Sequence, residues 1–431
     1  MSTVPGDADE AGRALRVLPQ TAHLAAPHEL PALIREHAGT LGAGDAVAYL
    51  VDLQQTVLVP FVDEAAPAAD RQLAPLAVDT TLAGRTYQHL QILTQDLDGE
   101  TQVWLPLLDG TERLGALAVR FPGPVPTDAW TDQQDQLRHF AAIVAELVVS
   151  KTFYGDIIVR LRRQAEMALA AEIQWGLLPP LTMACRQVVI AAALEPAYEV
   201  AGDSVDYAVD PSHCRCAVLD GMGHGIQSAQ LVSLAVAAYR NGRRSGRSLT
   251  ETARLVDEAI GRIYQGEAFA TGVLADLDTD TGELTWINAG HHEPLLLREG
   301  KLVKTLSASP GLPFGLGAAG EQPPSYALGT ENLQPGDRLL FYTDGVTEAR
   351  SPEGEFFGVD RLIDLLVRNF AGDLPAPETM RRVVRALLEH QRGRLDDDAT
   401  LLLVQWPVDD EKLLQPELPE PSGSGRLTRD V

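Results

Sequence analysis

The chain is poor in cysteine: its 431 residues contain three, Cys185, Cys214 and Cys216. A low and odd number of cysteines argues against a disulfide framework as the basis of the fold. Cys214 and Cys216 stand two residues apart on a predicted strand and share one face, where we expect ordinary packing. No cysteine precedes Cys185, so the N-terminal half cannot sense a signal through a thiol, a cysteine-ligated cluster or a thioether-bound chromophore.

Positive charge and long apolar runs are also scarce. The formal net charge is −25, and the sequence contains four lysines. So negative a chain is poorly suited to bind nucleic acid or an anionic membrane through general electrostatics, and better suited to a divalent metal or a partner with a basic patch. No apolar run approaches the length of about 20 residues that spans a bilayer, and the polar N-terminus does not read as a signal peptide. We therefore expect a cytoplasmic protein.

The motifs of nucleotide-driven phosphoryl transfer are absent from the sequence. It has neither a Gly-Lys-Ser/Thr phosphate loop nor a kinase His-Arg-Asp. The glycines between Gly221 and Gly225 lack the spacing of a dinucleotide fingerprint. Residues 276–282 resemble the start of a calcium loop, but Thr281 and Ile287 occupy the positions that need Gly and Glu. We expect a hairpin turn there.

What the sequence does contain is a set of acids at the ends of predicted strands or loops. In Val218-Leu-Asp-Gly-Met-Gly-His-Gly225, two apolar residues lead Asp220 into a turn of alternating glycines, and a helical pattern follows from Ser228. In four separate segments the end of a predicted strand or loop presents an acid, and these acids are Asp203, Asp220, Asp344 and Asp397. Oxygen ligands suit Mg²⁺ or Mn²⁺, and two such ions about 3.5–4 Å apart would neutralise the carboxylates and prepare a hydroxide to attack phosphorus.

These stretches belong to an ordered series of seven motifs. The series is Ala171-Glu-Ile-Gln-Trp-Gly-Leu-Leu-Pro179, Glu199-Val-Ala-Gly-Asp203, Asp220-Gly-Met-Gly-His-Gly225, Asn288-Ala-Gly-His291, Pro310-Gly-Leu-Pro-Phe-Gly315, Tyr342-Thr-Asp-Gly-Val346 and Asp397-Asp-Ala-Thr400. In order and spacing it resembles the PPM-type serine/threonine phosphatases of the SpoIIE/RsbU branch, over about Ala170 to Trp406. One departure is that Ser204 and Val205 follow Asp203 where the family usually has aromatic residues.

The resemblance implies a metal-dependent phosphoserine/phosphothreonine protein phosphatase with two divalent cations, Mn²⁺ or Mg²⁺. It implies that Asp203, Asp220, Asp344 and Asp397 bind the metals and carry catalysis, with the Gly221 carbonyl as a backbone ligand. His224 and His291 lie inside matched motifs, and we expect them either to orient substrate or water or to be structural. The implied substrate is a phosphorylated anti-sigma-factor antagonist, whose dephosphorylation frees a sigma factor.

The N-terminal region predicts a separate regulatory domain. Its order of strand, strand, helix, hairpin and helix resembles a GAF domain over residues 19–150, after a disordered lead of residues 1–18. Such a module binds a small ligand or dimerises; an α/β dimerisation domain with an empty pocket is the alternative. The predicted hairpin turns at Asp109-Gly110, a favoured turn pair.

Residues 151–178 predict a continuous helical linker. Its apolar positions alternate by four and three as in a heptad seam, ended by Pro179 and Pro180. We take Ile158, Leu161, Glu172 and Trp175 as its regulatory positions. The hypothesis is that this helix transmits the state of the N-terminal domain and, with it, forms a homodimer; a plain connector is the alternative.

Residues 179–407 predict the catalytic domain and residues 408–431 a disordered tail. Runs of strands and then helices indicate an α+β fold, in which antiparallel sheets form a sandwich flanked by helices. Two further functions stay open. One is a catalytically silent, ligand-sensing scaffold that binds a partner protein, and the other is a hydrolase of small phosphate esters.

Overall fold

The computed structural model describes residues 17–63, 72–123, 130–195, 198–199, 202–317, 325–372, 374–393, 395, 397–406 and 414. The chain divides into two compact units, with one boundary between Gln164 and Ala165. Most of the predicted lead and tail lies outside the described residues. Residues 17–22 are helical, however, and Leu18 is fully buried in the N-terminal core. The ordered N-terminal unit therefore begins earlier than residue 19, because an apolar residue at position 18 has a core to pack into.

The N-terminal unit is built on one antiparallel sheet of six strands. They are β1 (Asp45–Val51), β2 (Val57–Phe61), β3 (Leu76–Ala77), β4 (Leu93–Leu97), β5 (Glu100–Asp109) and β6 (Glu112–Phe121), in the order β3-β2-β1-β6-β5-β4. The predicted hairpin is confirmed, and Gly110 in its turn has a φ of +57°. Besides residues 17–22, the α-helices of this unit are α1 (Leu30–Thr40), α2 (Leu82–His89), α3 (Trp130–Thr152) and α4 (Ile157–Leu161).

Both faces of this sheet are covered by apolar side chains. One cluster combines strand residues with Ile34 of α1, Phe140 of α3 and Ile158 of α4. The opposite cluster contains Tyr49 and Trp104, whose rings meet edge to face at 5.4 Å. A sheet buried on both faces explains why its central strands β1, β5 and β6 are almost continuously apolar.

The C-terminal unit contains two antiparallel sheets. One has five strands in the order β15-β12-β11-β10-β9, and the other has six in the order β14-β13-β16-β17-β8-β7. The strands are β7 (Thr182–Cys185), β8 (Val188–Glu195), β9 (Asp203–Val209), β10 (His213–Gly221), β11 (Ala270–Asp278), β12 (Glu283–Ala289), β13 (Leu295–Arg298), β14 (Lys301–Thr305), β15 (Gly329–Asn332), β16 (Arg338–Tyr342) and β17 (Ala399–Gln405).

The described part of the C-terminal unit also contains six helices. They are α5 (Leu169–Leu177), α6 (Ile226–Arg244), α7 (Leu249–Tyr264), α8 (Asp344–Thr347), α9 (Val359–Ala371) and α10 (Ala376–His390). One core, which includes Val218 and Phe341, lies between the sheets, and a second joins the five-stranded sheet to α6 and α7. The predicted sandwich flanked by helices is confirmed. The short strands β7, β14 and β15 were not predicted.

The prediction of one continuous helix from Lys151 to Leu178 is wrong. The chain instead forms the end of α3, the short α4 and then α5, with non-helical residues between them. Tertiary contacts break the helix: the Lys151 ammonium donates to the carbonyls of His23 and Ala25, and the Arg162 side chain donates to the carbonyl of Val51. These contacts anchor the segment to the N-terminal unit on either side of α4.

The four regulatory positions consequently do not form one seam. Ile158 is buried in the N-terminal core, and Leu161 packs against that core. Glu172 is exposed on α5. Trp175 is half-buried and packs in a small cluster with Ala171 of the same helix. The apolar positions spaced by three and four residues pack into two separate cores and do not form a coiled coil.

A buried ion-pair group connects α5, α6 and β9. Asp206 is buried in β9 and accepts hydrogen bonds from Arg240 at 2.7 Å and Arg243 at 3.0 Å, both on α6. The Arg240 guanidinium also donates to the carbonyl of Leu177, the last residue of α5. One carboxylate thereby fixes α6 on the strand that begins with Asp203.

Replacing Asp206 with Asn should lower the free energy of unfolding by about 3 kcal/mol, because two arginines would keep their charge without a carboxylate. Calorimetric unfolding of the full chain would measure this change. Asp210→Asn is the matched control, since Asp210 is exposed just after the same strand. An equal, small effect of both substitutions would contradict the assignment.

Candidate metal centre

Two of the predicted acids are neighbours across strands β9 and β10. Asp203 begins β9 and pairs in register with Asp220, the penultimate residue of β10. Residues directly opposite each other on antiparallel strands have Cβ atoms about 4.5–5.5 Å apart. Asp203 is only 2% exposed, whereas Asp220 is half-buried. The five-stranded sheet thus delivers two carboxylates to the same point.

The other predicted acids come from the six-stranded sheet. Asp344 follows β16 and is the first residue of α8, and Asp397 lies just before β17. Because β16 and β17 are antiparallel neighbours, with Tyr342 opposite Leu401, the end of one lies beside the start of the other. The Thr343 amide donates to the Thr400 carbonyl at 3.1 Å and continues this pairing toward the acids.

Hydrogen bonds join the two sheets at this end. The Thr343 hydroxyl donates to Asp203 Oδ2 at 2.6 Å, and it accepts from the Thr400 amide at 3.0 Å. The Gly202 amide donates to Asp398 Oδ2, also at 2.6 Å. We refer to Asp203, Asp220, Asp344, Asp397 and Asp398 as the acid cluster.

Burial and mutual repulsion raise the pKa values of three of these carboxyl groups. Burial is the largest cause for Asp203, followed by Asp220 and Asp398. The pKa of Asp220 is raised to about 7, first by burial and then by Asp344, Asp397 and Asp398. Partial burial and Asp344 raise the pKa of Asp397, while His224 lowers it. Each acid therefore disfavours the charged form of its neighbours.

Close packing around the acid cluster requires glycine at three positions. A Cβ on Gly345 would lie 2.0 Å from the Asp398 carbonyl oxygen, and one on Gly202 would lie 2.9 Å from that of Gly221. A Cβ on Gly221 would approach Val232 to 2.6 Å. These contacts are too short for any side chain, so the glycines beside the acids let the two sheets and α6 approach closely.

The Gly221 carbonyl, the predicted backbone ligand, accepts a hydrogen bond from the Ser228 hydroxyl at 2.7 Å. A carbonyl oxygen has two lone pairs, so this bond orients the group and leaves one position for a cation. Ser204 and Val205 stand where the family usually has aromatic residues, and both are fully buried.

The two predicted histidines have different surroundings. His224 is exposed in the glycine turn, and it lowers the pKa of Asp397 electrostatically. His291 is held at both ring nitrogens: Nδ1 lies 2.8 Å from the Thr271 hydroxyl and Nε2 lies 3.1 Å from the Tyr342 carbonyl. Its peptide N–H donates to the Asn288 side chain. These contacts favour a structural role for His291.

Sequence reasoning missed Thr343, Ser228 and Asp398. Thr343 positions Asp203, Ser228 positions the Gly221 carbonyl, and Asp398 acts on Asp203 and Asp220. The run of acids at 396–398 pointed to Asp398. The sequence does not show, however, which of these carboxylates turns toward which neighbour. No pattern in the sequence distinguishes the two hydroxyl groups from ordinary core residues.

The donor chemistry of the acid cluster fits hard divalent cations. All of its side-chain donors are carboxylate oxygens, as Mg²⁺ and Mn²⁺ prefer, and their repulsion is of the kind that a bound cation relieves. Within the described residues, no group of three or more His, Cys, Asp or Glu side chains is already arranged to hold an ion. The side chains that would turn toward a bound ion are those of Asp203, Asp220, Asp344 and Asp397.

The C-terminal unit is similar in sequence to a known protein family. Residues 210–407 match the model of the SpoIIE family, described as stage II sporulation protein E. The C-terminal unit carries a SpoIIE-type domain. Protein IcfG of Synechocystis sp. is 28% identical over 269 residues, which cover 56% of this chain and 41% of that protein. The chain thus spans less than half the length of this relative.

Two further proteins extend the comparison. The phosphoserine phosphatase RsbU of Bacillus subtilis is 24% identical over 245 residues, covering 57% of this chain and 71% of RsbU. Among solved structures, the SiaA-PP2C domain of Pseudomonas aeruginosa is 23% identical with a TM-score of 0.46, covering 56% of this chain and 94% of that domain. At the level of the family, the SpoIIE-type match supports a phosphatase.

None of the helices in the described parts of the chain combines the length and the apolar character needed to cross a bilayer.

The neutral state of His291 should make stability depend on pH. Burial, and secondarily His292, lower its pKa to about 3, so the folded protein excludes a proton that the unfolded chain binds below pH 6.5. The unfolding free energy should fall by about 2 kcal/mol between pH 6.5 and pH 5 because of this residue.

Urea unfolding of the wild type and of His291→Gln at both pH values measures this difference. Between pH 6.5 and pH 5, the unfolding free energy of the variant should fall by about 2 kcal/mol less than that of the wild type. Parallel pH dependences of the two proteins would contradict the assignment.

Proposed function

We propose that this protein is a metal-dependent phosphoserine/phosphothreonine protein phosphatase. The observation that carries the proposal is the acid cluster, in which carboxylates from two sheets meet and raise one another's pKa values. The SpoIIE-type match of residues 210–407 supports it. Asp203, Asp220, Asp344 and Asp397, with the Gly221 carbonyl, would hold two Mn²⁺ or Mg²⁺ ions.

Bound there, the cations supply the Lewis-acid charge stabilisation that phosphoryl transfer to water requires. The protein's own groups keep the ligands in place. Thr343 holds the Asp203 carboxylate, Ser228 holds the Gly221 carbonyl, and the Gly202 amide holds Asp398. His224 lies in the glycine turn that follows Asp220, and we propose that it orients water or the phosphorylated residue.

Phosphate release from a phosphoserine protein such as casein tests the activity. The wild type should release phosphate with Mn²⁺ and not with EDTA, and Asp220→Asn should be at least about 100-fold slower because a metal ligand is lost. Asp210→Asn, an exposed acid after strand β9, should retain wild-type activity.

A catalytically silent scaffold is the second candidate. It would be favoured if both the full chain and a fragment starting at Ala165 release no phosphate with Mn²⁺ or Mg²⁺. A hydrolase of small esters would instead prefer free phosphoserine over phosphoprotein. The presence of all four acids in the sequence favours the enzyme over the scaffold.

The substrate we propose is a phosphorylated anti-sigma-factor antagonist, acted on in a sigma-factor cascade. This proposal is supported by the resemblance to the SpoIIE/RsbU branch and by the relatives named RsbU and RsbP, both phosphoserine phosphatases of Bacillus subtilis. Since the chain spans only part of these relatives, their substrates and partners remain proposals for it.

The N-terminal unit is proposed to be a GAF-like regulatory domain that binds a small ligand or a second copy of the chain. Its six-stranded antiparallel sheet, covered on both faces, supports this proposal. The segment from α4 to α5 would carry regulation, since Arg240 joins the carbonyl end of α5 to Asp206 in the strand that begins with Asp203.

Uncoupling this segment tests the regulation. The full chain and the fragment from Ala165 should differ at least about fivefold in Mn²⁺-dependent phosphate release. Two Gly-Pro pairs inserted after Gln164 should bring the full chain to the rate of the fragment, because they lengthen the chain between Arg162, which is bonded to Val51, and the start of α5. Equal rates of all three proteins would contradict regulation through this segment.

A further inference from the structure

A cavity of about 190 Å³ lies against one face of the N-terminal sheet. Its lining includes Ala118 of β6, which stands in register between Val47 of β1 and Trp104 of β5. Side chains directly opposite one another on neighbouring strands share one face of the sheet. The methyl group of an alanine between two larger side chains leaves space above the sheet, and Leu73 and Leu76 line that space as well.

Residual exposure on this face is confined to the same place. The apolar cluster of this face has members that line the cavity and members that do not, and those that do not are at most 1% exposed. The cavity-lining residues Val47, Tyr49, Gln102, Trp104 and Ala118 are each between 5% and 8% exposed. The space is therefore a local feature of the packing around Ala118, and the rest of the face is closely packed.

One polar side chain in the wall of the cavity lacks a partner. Gln102 is 8% exposed, and among the described residues its amide has no hydrogen-bond partner. It lies two residues from Trp104 on the same face of β5, so the amide borders the cavity together with the indole ring. A side-chain amide offers both a donor and an acceptor, and leaving them unpaired away from water is destabilising. The wall thus presents a donor and an acceptor to the occupant of the cavity.

Both charged residues that line the cavity, Asp45 and Arg120, are already paired. Arg120 stands in register between Asp45 and Gln102. Asp45 Oδ1 accepts from Arg35 Nε at 3.0 Å, and Arg120 Nε lies 3.8 Å from Glu100 Oε2. The positive and negative charges therefore balance, and an ionic ligand would lose hydration without meeting an unpaired countercharge.

The size and the walls of the cavity restrict what it can hold. Benzene occupies an engineered cavity of about 150 Å³, whereas drug-sized ligands need about 300–1,000 Å³. A cavity of about 190 Å³ therefore suits one ring or two fused rings. The rings of Tyr49 and Trp104, which meet edge to face at 5.4 Å, offer the contacts that an aromatic ligand prefers.

We infer that this cavity binds a small, neutral aromatic molecule whose edge carries a hydrogen-bond donor beside an acceptor, and that the Gln102 amide recognises that edge. The inference deepens the proposal that the N-terminal unit binds a small ligand, because it assigns the site and the class of ligand. It does not depend on the phosphatase activity proposed for the C-terminal unit.

Isothermal titration calorimetry of the full chain with three probes tests the class of ligand. Adenine and benzamide are neutral rings with a donor beside an acceptor, and benzoate has the shape of benzamide with a negative charge. At least one neutral probe should saturate the protein with a Kd of about 1 mM or tighter. Benzoate should bind at least about 10-fold more weakly than the tighter neutral probe.

Gln102→Leu should raise the Kd of the neutral probes at least about 10-fold, because the variant loses both hydrogen bonds of the amide. Gln20→Leu is the matched control, since Gln20 is an exposed glutamine in the helical residues 17–22. It should bind the probes as the wild type does.

Filling the cavity tests its position independently of any probe. Ala118→Leu should keep or raise the melting temperature, because the added carbons enter empty space, and it should abolish binding of the neutral probes. Ala116→Leu is the matched contrast, since Ala116 lies on the same strand and face but is 0% exposed and does not line the cavity. Overpacking there should lower the melting temperature by about 4 °C or more.

The outcomes decide the ligand, the recognition group and the cavity separately. No saturation by either neutral probe, as expected if water alone fills the cavity, would overturn the class of ligand, and so would benzoate binding as tightly as the better neutral probe. Equal affinities of the wild type and Gln102→Leu would overturn the role of Gln102. An equal fall in melting temperature for Ala118→Leu and Ala116→Leu would overturn the cavity. Binding and unfolding are measured throughout, so failure of the proposed phosphatase would leave these results unchanged.

Discussion

Repulsion among carboxylates, of which Asp203 is buried and the others are more accessible, is the constraint on which the C-terminal unit depends. The fold places five acids from two sheets at one end of a sandwich, where water can screen them only in part. Such an arrangement opposes folding unless protons or cations offset the charge. Hydrogen bonds support individual acids of the cluster, including those from the Thr343 hydroxyl to Asp203 and from the Gly202 amide to Asp398. A site that stabilised only the fold would not need these acids.

The rest of the unit makes this close approach possible. Glycines at 202, 221 and 345 remove side chains where strands, loops and α6 come together. The apolar core between the sheets sets their separation, and a second core fixes α6 and α7 on the five-stranded sheet. Asp206 secures α6 through two arginines, one of which also reaches the end of α5. Packing, ion pairing and the acid cluster therefore share the same few elements.

Most of the fold could be predicted from local patterns. Strand runs such as Leu339 to Tyr342, the amphipathic helices α7, α9 and α10, and the hairpin at Gly110 all have strong periodic or turn signals, and the structure confirms them. The prediction of a continuous linker helix was wrong, because apolar residues spaced by three and four can pack against several different partners. Lys151 and Arg162 donate hydrogen bonds to backbone carbonyls of the N-terminal unit, and Ile158 packs in its core. These contacts interrupt the helix.

The sequence by itself determined which residue types could do the chemistry: acids at strand ends, glycines beside them and no competing thiolate or phosphate-loop site. Those properties are local, because a carboxylate keeps its ligand chemistry wherever the chain carries it. Only the tertiary structure decided that Asp203 and Asp220 are register partners, that Asp398 joins them, and that Thr343 and Ser228 orient the ligands. Such contacts join residues up to about two hundred positions apart, and packing of the two sheets, rather than any local pattern, brings them within hydrogen-bonding distance.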